Sequence, residues 1–342
     1  MKELRVRFQR PYTPGHRAET YKALLISYYA LRFREHKNTF FCNLKKNILN
    51  MILPEVQDAL ENMLRQSFGS GAGILNMEKR GGGSINEALI LRTTVGSFFA
   101  KWNNLSGKRG LFRAEKKGLE LIGSTQCIRV PKAYAAYEEA QHGYLLMELL
   151  ETGDPEFGFW EDFGRQIAAL HRNTNSTFGL DEDNYCGSLR QVNTPQTRWS
   201  TFFIENRLQP MLKLAVDNNK ADAGVVKKME NLYTRLDEIF PEEKPALLHG
   251  DLWGGNFMCT LSGEAAIYDP AVYYGHREMD LGMSRLFGGF DLEFYEAYDE
   301  AYPLQPGWQK RLDICNIYPL LVHVNLFPGS YIQSVKNILS RF

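Results

Sequence analysis

Residues 247–260 read LLHGDLWGGNFMCT, and residues 265–270 read AAIYDP. In each stretch an apolar run of strand character leads into an acid, Asp251 in the first and Asp269 in the second. His249-Gly250-Asp251 is followed by Asn256 after four intervening residues, and Asp269 comes thirteen residues after Asn256. Two carboxylates and an amide at the ends of buried strands make a hard-oxygen set of the kind Mg²⁺ takes, with phosphate oxygens and water completing its octahedron. An Asp that accepts a hydroxyl proton, with an Asn and a later Asp on the metal, is the arrangement phosphoryl transfer uses. Gly250 and Asp251 alone could equally be a turn. The full constellation is far more specific.

Upstream, Gly81-Gly82-Gly83-Ser84-Ile85-Asn86 falls between two expected strands, where backbone without a Cβ can lie against phosphates. A GGG turn by itself fits a flexible hairpin just as well. Lys101, in SFFAKW, alternates with apolar neighbours, which turns it toward the inside of a sheet. Glu115 follows fourteen residues later, in a helical stretch FRAEKKGLELIG (112–123) whose expected buried side is Ala114, Leu119, Leu121 and Ile122. A strand lysine held by a helix glutamate is the arrangement that grips nucleotide α- and β-phosphates. Taken singly, each is as readily a solvated surface charge. Their order relative to the Gly loop and the HGD segment links them.

Around these motifs the chain reads as α+β. LPEVQDALENMLRQSFG (53–69) puts Val56, Leu60, Met63 and Leu64 on one helical face, with Pro54 near its start and Gly69 past its end. Strands are expected over 74–80, 87–94 and 97–103, joined by short Gly-containing turns, then over 133–138 and 143–150. Residues 160–240 read as helices, 246–270 as short strands around a loop, and 277–342 as helices again. The expected organisation is a basic extension over 1–50, a small β-rich lobe with one main helix over 51–150, and a larger helical lobe over 151–342.

Composition narrows the function classes. Of 342 residues, 40 are Lys or Arg and 40 are Asp or Glu, so the overall charge gives no sign of a protein whose main work is neutralising nucleic-acid phosphates. No apolar run approaches the ~20 residues that span a bilayer; 320–327 (LLVHVNLF) comes nearest and is far too short. Five scattered cysteines without a CxxC pair argue against a disulfide framework and fit a reducing cytosol, so a cytoplasmic protein is expected. The balanced charge hides an asymmetry, since residues 1–50 hold eleven Lys/Arg against three Glu, a net of +8. Three readings of that segment compete: an Arg-rich organellar presequence, a basic arm for an acidic partner, or an extension outside the folded unit. The last is favoured, because Met51 opens a far more regular pattern. Neither GxxxxGK[ST] nor HExxH occurs, which removes P-loop and zincin chemistry.

Together GGGSINEA, the Lys101/Glu115 pair, LLMELL, HGDLWGGN and DPAVYYGHREMDL resemble the fructosamine/ketosamine-3-kinase family, in the aminoglycoside-phosphotransferase-like branch of the protein kinase fold. The resemblance runs from about Met51 to the C-terminus, and RWSTFFIENRLQP (198–210) adds to it. It implies a bilobal kinase-like fold using ATP and Mg²⁺. Asp251 would take the proton of a sugar hydroxyl, and Asn256 and Asp269 would hold the metal. Gly81, Gly82, Gly83 and Ser84 would cover the phosphates, Lys101 would grip them, and Glu115 would orient Lys101. Met147, Glu148, Leu149, Leu150 and Glu151 would form the adenine hinge. Trp253 is a candidate platform for the sugar ring, with packing an equal alternative. His276, Arg277 and Glu278 are candidates for the substrate site, although an ion-paired helix cap suits Arg277 and Glu278 better. Asp280 would brace the catalytic loop from a buried position, and His171 reads as core or loop bracing. Many family members carry a redox-active Cys in the Gly loop; Ser84 stands in that region here, so redox control by that route is not expected.

The activity so implied is phosphorylation of a ketosamine sugar hydroxyl, which in the family destabilises the adduct and frees the amine. A monomer acting on a small or protein-bound ketosamine is expected. The rivals are a kinase of another small alcohol (an aminoglycoside, choline or a free sugar) and a non-catalytic nucleotide-binding module. A polycationic aminoglycoside calls for an acid-lined pocket, whereas a ketosamine calls for less negative charge and more ring-stacking surface.

Overall fold

The computed structural model describes residues 54–81, 86–139 and 141–342. The readings made of residues 1–50, and the phosphate-covering role of Gly82, Gly83 and Ser84, lie outside the described residues. The first helix, α1 (Pro54–Phe68), buries Val56, Ala59, Leu60, Met63 and Leu64, the face its spacing predicts. It leads into β1 (Ile74–Arg80), β2 (Glu87–Thr93), β3 (Gly96–Asn104), α2 (Leu111–Ser124), β4 (Ala133–Glu139) and β5 (His142–Glu148). The five strands form one antiparallel sheet in the order β1-β2-β3-β5-β4. Lys101 pairs across the ladder with Ala88 on one side and Leu145 on the other, so it sits mid-sheet.

Helix α2 differs from the expected orientation by part of a turn. Leu111, Phe112, Gly118, Leu119 and Ile122 are its buried residues, while Ala114 and Leu121 are only half-buried. Positions 112, 115, 119 and 122 share a face at i, i+3, i+4 spacing, so this rotation carries Glu115 toward the sheet along with Phe112 and Leu119.

The second lobe begins with α3 (Phe159–His171) and the short ribbon β6 (Asn184–Cys186) and β7 (Leu189–Gln191). Within the region expected to be helical, residues 199–217 divide into α4 (Trp199–Phe203), a π-helical turn over Ile204–Leu208, and α5 (Gln209–Asp217). Pro210 has no N–H to offer the carbonyl of Asn206, which loosens the helix at that turn. Helices α6 (Ala223–Tyr233) and α7 (Leu236–Ile239) follow. Then come the short strands β8 (Ala246–Leu248), β9 (Phe257–Cys259), β10 (Ala265–Ile267) and β11 (Tyr273–Gly275), which pair as β9–β10 and β8–β11. The chain closes with α8 (Glu278–Leu286), α9 (Leu292–Ala301), α10 (Trp308–Cys315), α11 (Ile317–Leu326) and α12 (Tyr331–Leu339).

One hydrophobic core joins Phe112, Leu119 and Ile122 of α2 to Phe163, Ile167 and Leu170 of α3, Leu247, Ile267 and Phe294. A second gathers Phe202, Phe203, Leu208, Met229, Leu232, Leu321 and Val335. The sheet is thus anchored to the helical lobe through α2, and the face of β2, β3 and β5 bearing Lys101 opens on a cleft. Among the described residues no helix is long and apolar enough to cross a membrane.

Candidate active site

A cavity of about 540 Å³ occupies that cleft. One wall carries Gly81, Ile90, Phe99 and Lys101 from the sheet, with Met147, Glu148, Leu149 and Leu150 at its edge. Asp251, Trp253, Asn256 and Asp269 stand opposite, and Glu115 closes the α2 side.

The catalytic-loop geometry begins at Gly250. Its φ of +82° is costly for any other residue, and a Cβ there would meet the carbonyl oxygen of Ala271 at 2.0 Å. Asp280 holds this turn from beneath at 1% exposure. Its Oδ2 accepts the His249 N–H at 2.7 Å and its Oδ1 the Gly250 N–H at 2.9 Å. His171 Nε2 lies 3.2 Å from the same carboxylate, and its Nδ1 is 2.8 Å from the Tyr298 hydroxyl. His249 donates from Nε2 to the Tyr268 carbonyl at 3.0 Å, so its Nδ1 is the acceptor for the Asp251 N–H at 3.2 Å. Burial holds this imidazole below its ordinary pKa, as a neutral ring.

Asp251 itself stands at the cleft wall. Asn256 donates from Nδ2 to its main-chain carbonyl and to its Oδ2, both at 2.9 Å. Burial pushes the Asp251 carboxyl up to about 7; the Asn256 hydrogen bond opposes this, and the charges of Asp269 and Asp280 add to it.

Lys101 is 6% exposed and joins two acids, donating to Glu115 Oε1 at 2.7 Å and to Asp269 Oδ1. Burial alone would lower its pKa, but Asp269 and Glu115 together drive it upward, so the amine stays charged. Burial likewise pushes Glu115 up to about 7 against the pull of Lys101. Asp269 has a φ of +57°, the left-handed region, a strain that non-glycine residues carry mainly where the site requires it.

Trp253 lays its indole across Gly255, where a Cβ would meet the ring at 2.3 Å, and presents an edge to Phe287 at 5.9 Å between centroids. The cavity continues past Trp253 along two walls the sequence reading missed. One is Asn184, Tyr185, Cys186 and Gly187; the other is Met283, Pro319, Val322, His323, Leu326 and Phe327. The signal for the second was a lone histidine inside the apolar run 320–327. His323 donates from Nδ1 to the Pro319 carbonyl at 2.8 Å, and Phe287 and Phe327 lie against its ring.

Four expected site residues lie elsewhere. His276 is fully buried between Trp199 and Phe240, and burial drops its pKa to about 4. Glu278 is also fully buried, chelating Arg311 at 2.6 and 2.8 Å, while the neighbouring Arg277 pairs with Glu243 and lies 3.9 Å over the Tyr302 ring. None of these lines the cleft, because the helix start they cap turns into the core rather than toward the nucleotide side. Glu151 is exposed and its carbonyl is taken by the Leu261 N–H at 2.9 Å, so the hinge lining stops at Leu150 before resuming at Thr152.

As a donor set for Mg²⁺ the residues fit. The amide nitrogen of Asn256 is spent on Asp251, which leaves its carbonyl oxygen for a cation. Lys101 takes only Oδ1 of Asp269, so Oδ2 supplies a second hard oxygen.

The chain is similar over most of its length to several known proteins. A probable ketoamine kinase of Synechocystis is 38% identical over 292 residues, covering 84% of this chain and 97% of that protein. A protein-ribulosamine 3-kinase, chloroplastic, of Arabidopsis thaliana is 38% identical over 279 residues, covering 80% and 84%. A crystal structure from Thermobifida fusca described as a fructosamine-3-kinase superposes with TM-score 0.74 at 32% identity, covering 82% and 97%. An aminoglycoside phosphotransferase matches at TM-score 0.54 and 13% identity over 83% of this chain and 96% of its own, which establishes the bilobal kinase-like fold alone. The family model described as fructosamine kinase matches residues 56–342, and the chain belongs to that family.

Proposed function

We propose that this enzyme transfers the γ-phosphoryl group of ATP to a sugar hydroxyl of a ketosamine, the 3-hydroxyl named for its ribulosamine kinase relative. The observation that carries the reading is the composition of the far end of the cleft. Trp253, Met283, Val322, His323, Leu326 and Phe327 present ring and apolar surface. Glu115, Glu148, Asp251 and Asp269 are the only acids among the described residues lining the cavity, and all belong to the nucleotide or transfer side. A polycationic aminoglycoside would find no counter-charge there, whereas the C–H face of a sugar suits the indole of Trp253.

In this reading Lys101, fixed by Glu115, binds the α- and β-phosphates. Asn256 and Asp269 hold magnesium, which when bound neutralises charge developing on the transferred group. Asp251 accepts the hydroxyl proton as the new O–P bond forms and the bond to the ADP oxygen breaks. Its raised pKa suits a base working near neutrality. Release of the amine from the phosphorylated adduct makes the role one of deglycation. The free thiols of Cys127, Cys186, Cys259 and Cys315 suit a reducing compartment.

ATP consumption with fructosyl-lysine, ribulosyl-lysine, kanamycin and choline tests the assignment. Turnover with the two ketosamines is expected; turnover confined to kanamycin or choline refutes it.

A further inference from the structure

Arg207 is fully buried, yet no carboxylate pairs with it among the described residues. It lies in the π-helical turn of the segment 198–210, which no step of the transfer uses. The guanidinium sits 4.0 Å from the centroid of Tyr273 and 4.6 Å from that of Phe202. Its Nη1 donates to the carbonyls of Val192 and Asn206, and its Nη2 to Asn193 Oδ1 at 2.8 Å, while Nε has no partner among the described residues. The Asn206 carbonyl is the one Pro210 cannot serve.

A buried cation without an acid is a poor way to fill a core, since apolar side chains of the same volume do it at lower cost. What only arginine supplies is a rigid fork of donors. The fork ends on a chain of amides. Asn193 Nδ2 donates to Asn184 Oδ1 at 3.0 Å and to the Glu182 carbonyl at 3.1 Å. Gln191 Nε2 donates to Asn184 Oδ1 at 2.8 Å and to the Ala271 carbonyl at 3.0 Å, and Asn184 Nδ2 donates to the Val272 carbonyl at 2.7 Å. One end of this chain is the cavity wall Asn184–Gly187; the other is the backbone just after Asp269-Pro270.

We infer that Arg207 is a positioning residue for the sugar acceptor, holding the β6–β7 ribbon so that residues 184–187 form the acceptor wall beside Asp251. This rests on the phosphotransferase reading. The adenine wall at Ile90, Phe99 and Met147 stands on the sheet, which the network does not touch, so the effect falls on the acceptor rather than on the hold on adenine.

Asn193→Asp tests this without emptying the core. The new carboxylate keeps a partner for the guanidinium, but the donations to Asn184 and Glu182 are lost. With fructosyl-lysine varied, KM is expected to rise by about tenfold, with KM for ATP within about twofold of wild type and no fall in Tm. Arg207→Lys, whose single ammonium cannot span Val192 and Asn193, is expected to give the same split with a lower Tm. A rise in fructosyl-lysine KM of less than about fivefold in folded Asn193→Asp, or an equal rise in KM for ATP, overturns the inference. Wild-type turnover of fructosyl-lysine, measured first, tests the phosphotransferase reading separately from the variants.

Discussion

The Nδ2 group of Asn256 donates to both the main-chain carbonyl and Oδ2 of Asp251, each at 2.9 Å. The proposed metal ligand therefore also orients the proposed base. Asn256→Asp replaces that donor with a like charge while keeping a hard-oxygen ligand. The Asp251 carboxyl, which this hydrogen bond holds down, should titrate higher, so the acid limb of the kcat profile should move to higher pH and kcat at pH 7 should fall by about 10²-fold. An unmoved acid limb would show that Asn256 does not tune Asp251.

Asp251→Asn is expected to lower kcat by about 10³-fold or more while ATP still binds, as read by nucleotide titration. The wild-type rate should fall as pH drops through about 7, where Asp251 gains its proton. Stability should respond in the opposite sense. The folded pKa is raised above that of the unfolded chain, so between about 4 and 7 the folded state holds a proton the unfolded state has released, and stability falls as pH rises through that window. Asp251→Asn should accordingly raise Tm at pH 8 more than at pH 4.5. Equal shifts at both values would contradict this.

Lys101→Met leaves Glu115 and Asp269 without their shared cation. Loss of kcat/KM for ATP by about 10²-fold or more is expected, together with destabilisation of about 3 kcal/mol at pH 8 from the stranded buried acid. Adding Glu115→Leu should recover most of the stability and none of the activity. Denaturant melts and ATP kinetics on both variants separate the two effects; recovery of activity in the double variant would remove Lys101 from the nucleotide site.

Asp280→Asn offers one acceptor oxygen where the His249 and Gly250 amides now use two. One buried N–H is left unsatisfied, a cost of about 1–3 kcal/mol. Because the displaced turn carries Asp251 rather than a binding wall, kcat should drop while KM for ATP and for the ketosamine holds. A rise in either KM with kcat unchanged would assign Asp280 to binding.

Much of this site was legible along the chain because its parts are local. A strand running into HGD, an Asn five residues past Asp251 and a second strand ending in Asp269 need only short-range backbone geometry to be recognised. The face of α1 follows from helical spacing for the same reason. His276 falls outside the cleft, and Glu278 takes the ion-paired helix-start position that suited it better, because adjacency to a motif says nothing of which side of the backbone faces the cleft. Their fate depends on Phe240, Glu243 and Arg311, brought close only by folding.

The sequence by itself therefore determined the fold class and the family, since these rest on residue type, order and local periodicity. Tertiary structure alone decided that Lys101 meets Asp269 across 168 positions, that residues of α11 and of the β6–β7 ribbon line the same cavity as Asp251, and that Arg207 lies buried without an acid among the described residues. Contacts at such separation are set by how whole elements pack, and side-chain packing leaves no periodic trace along the chain.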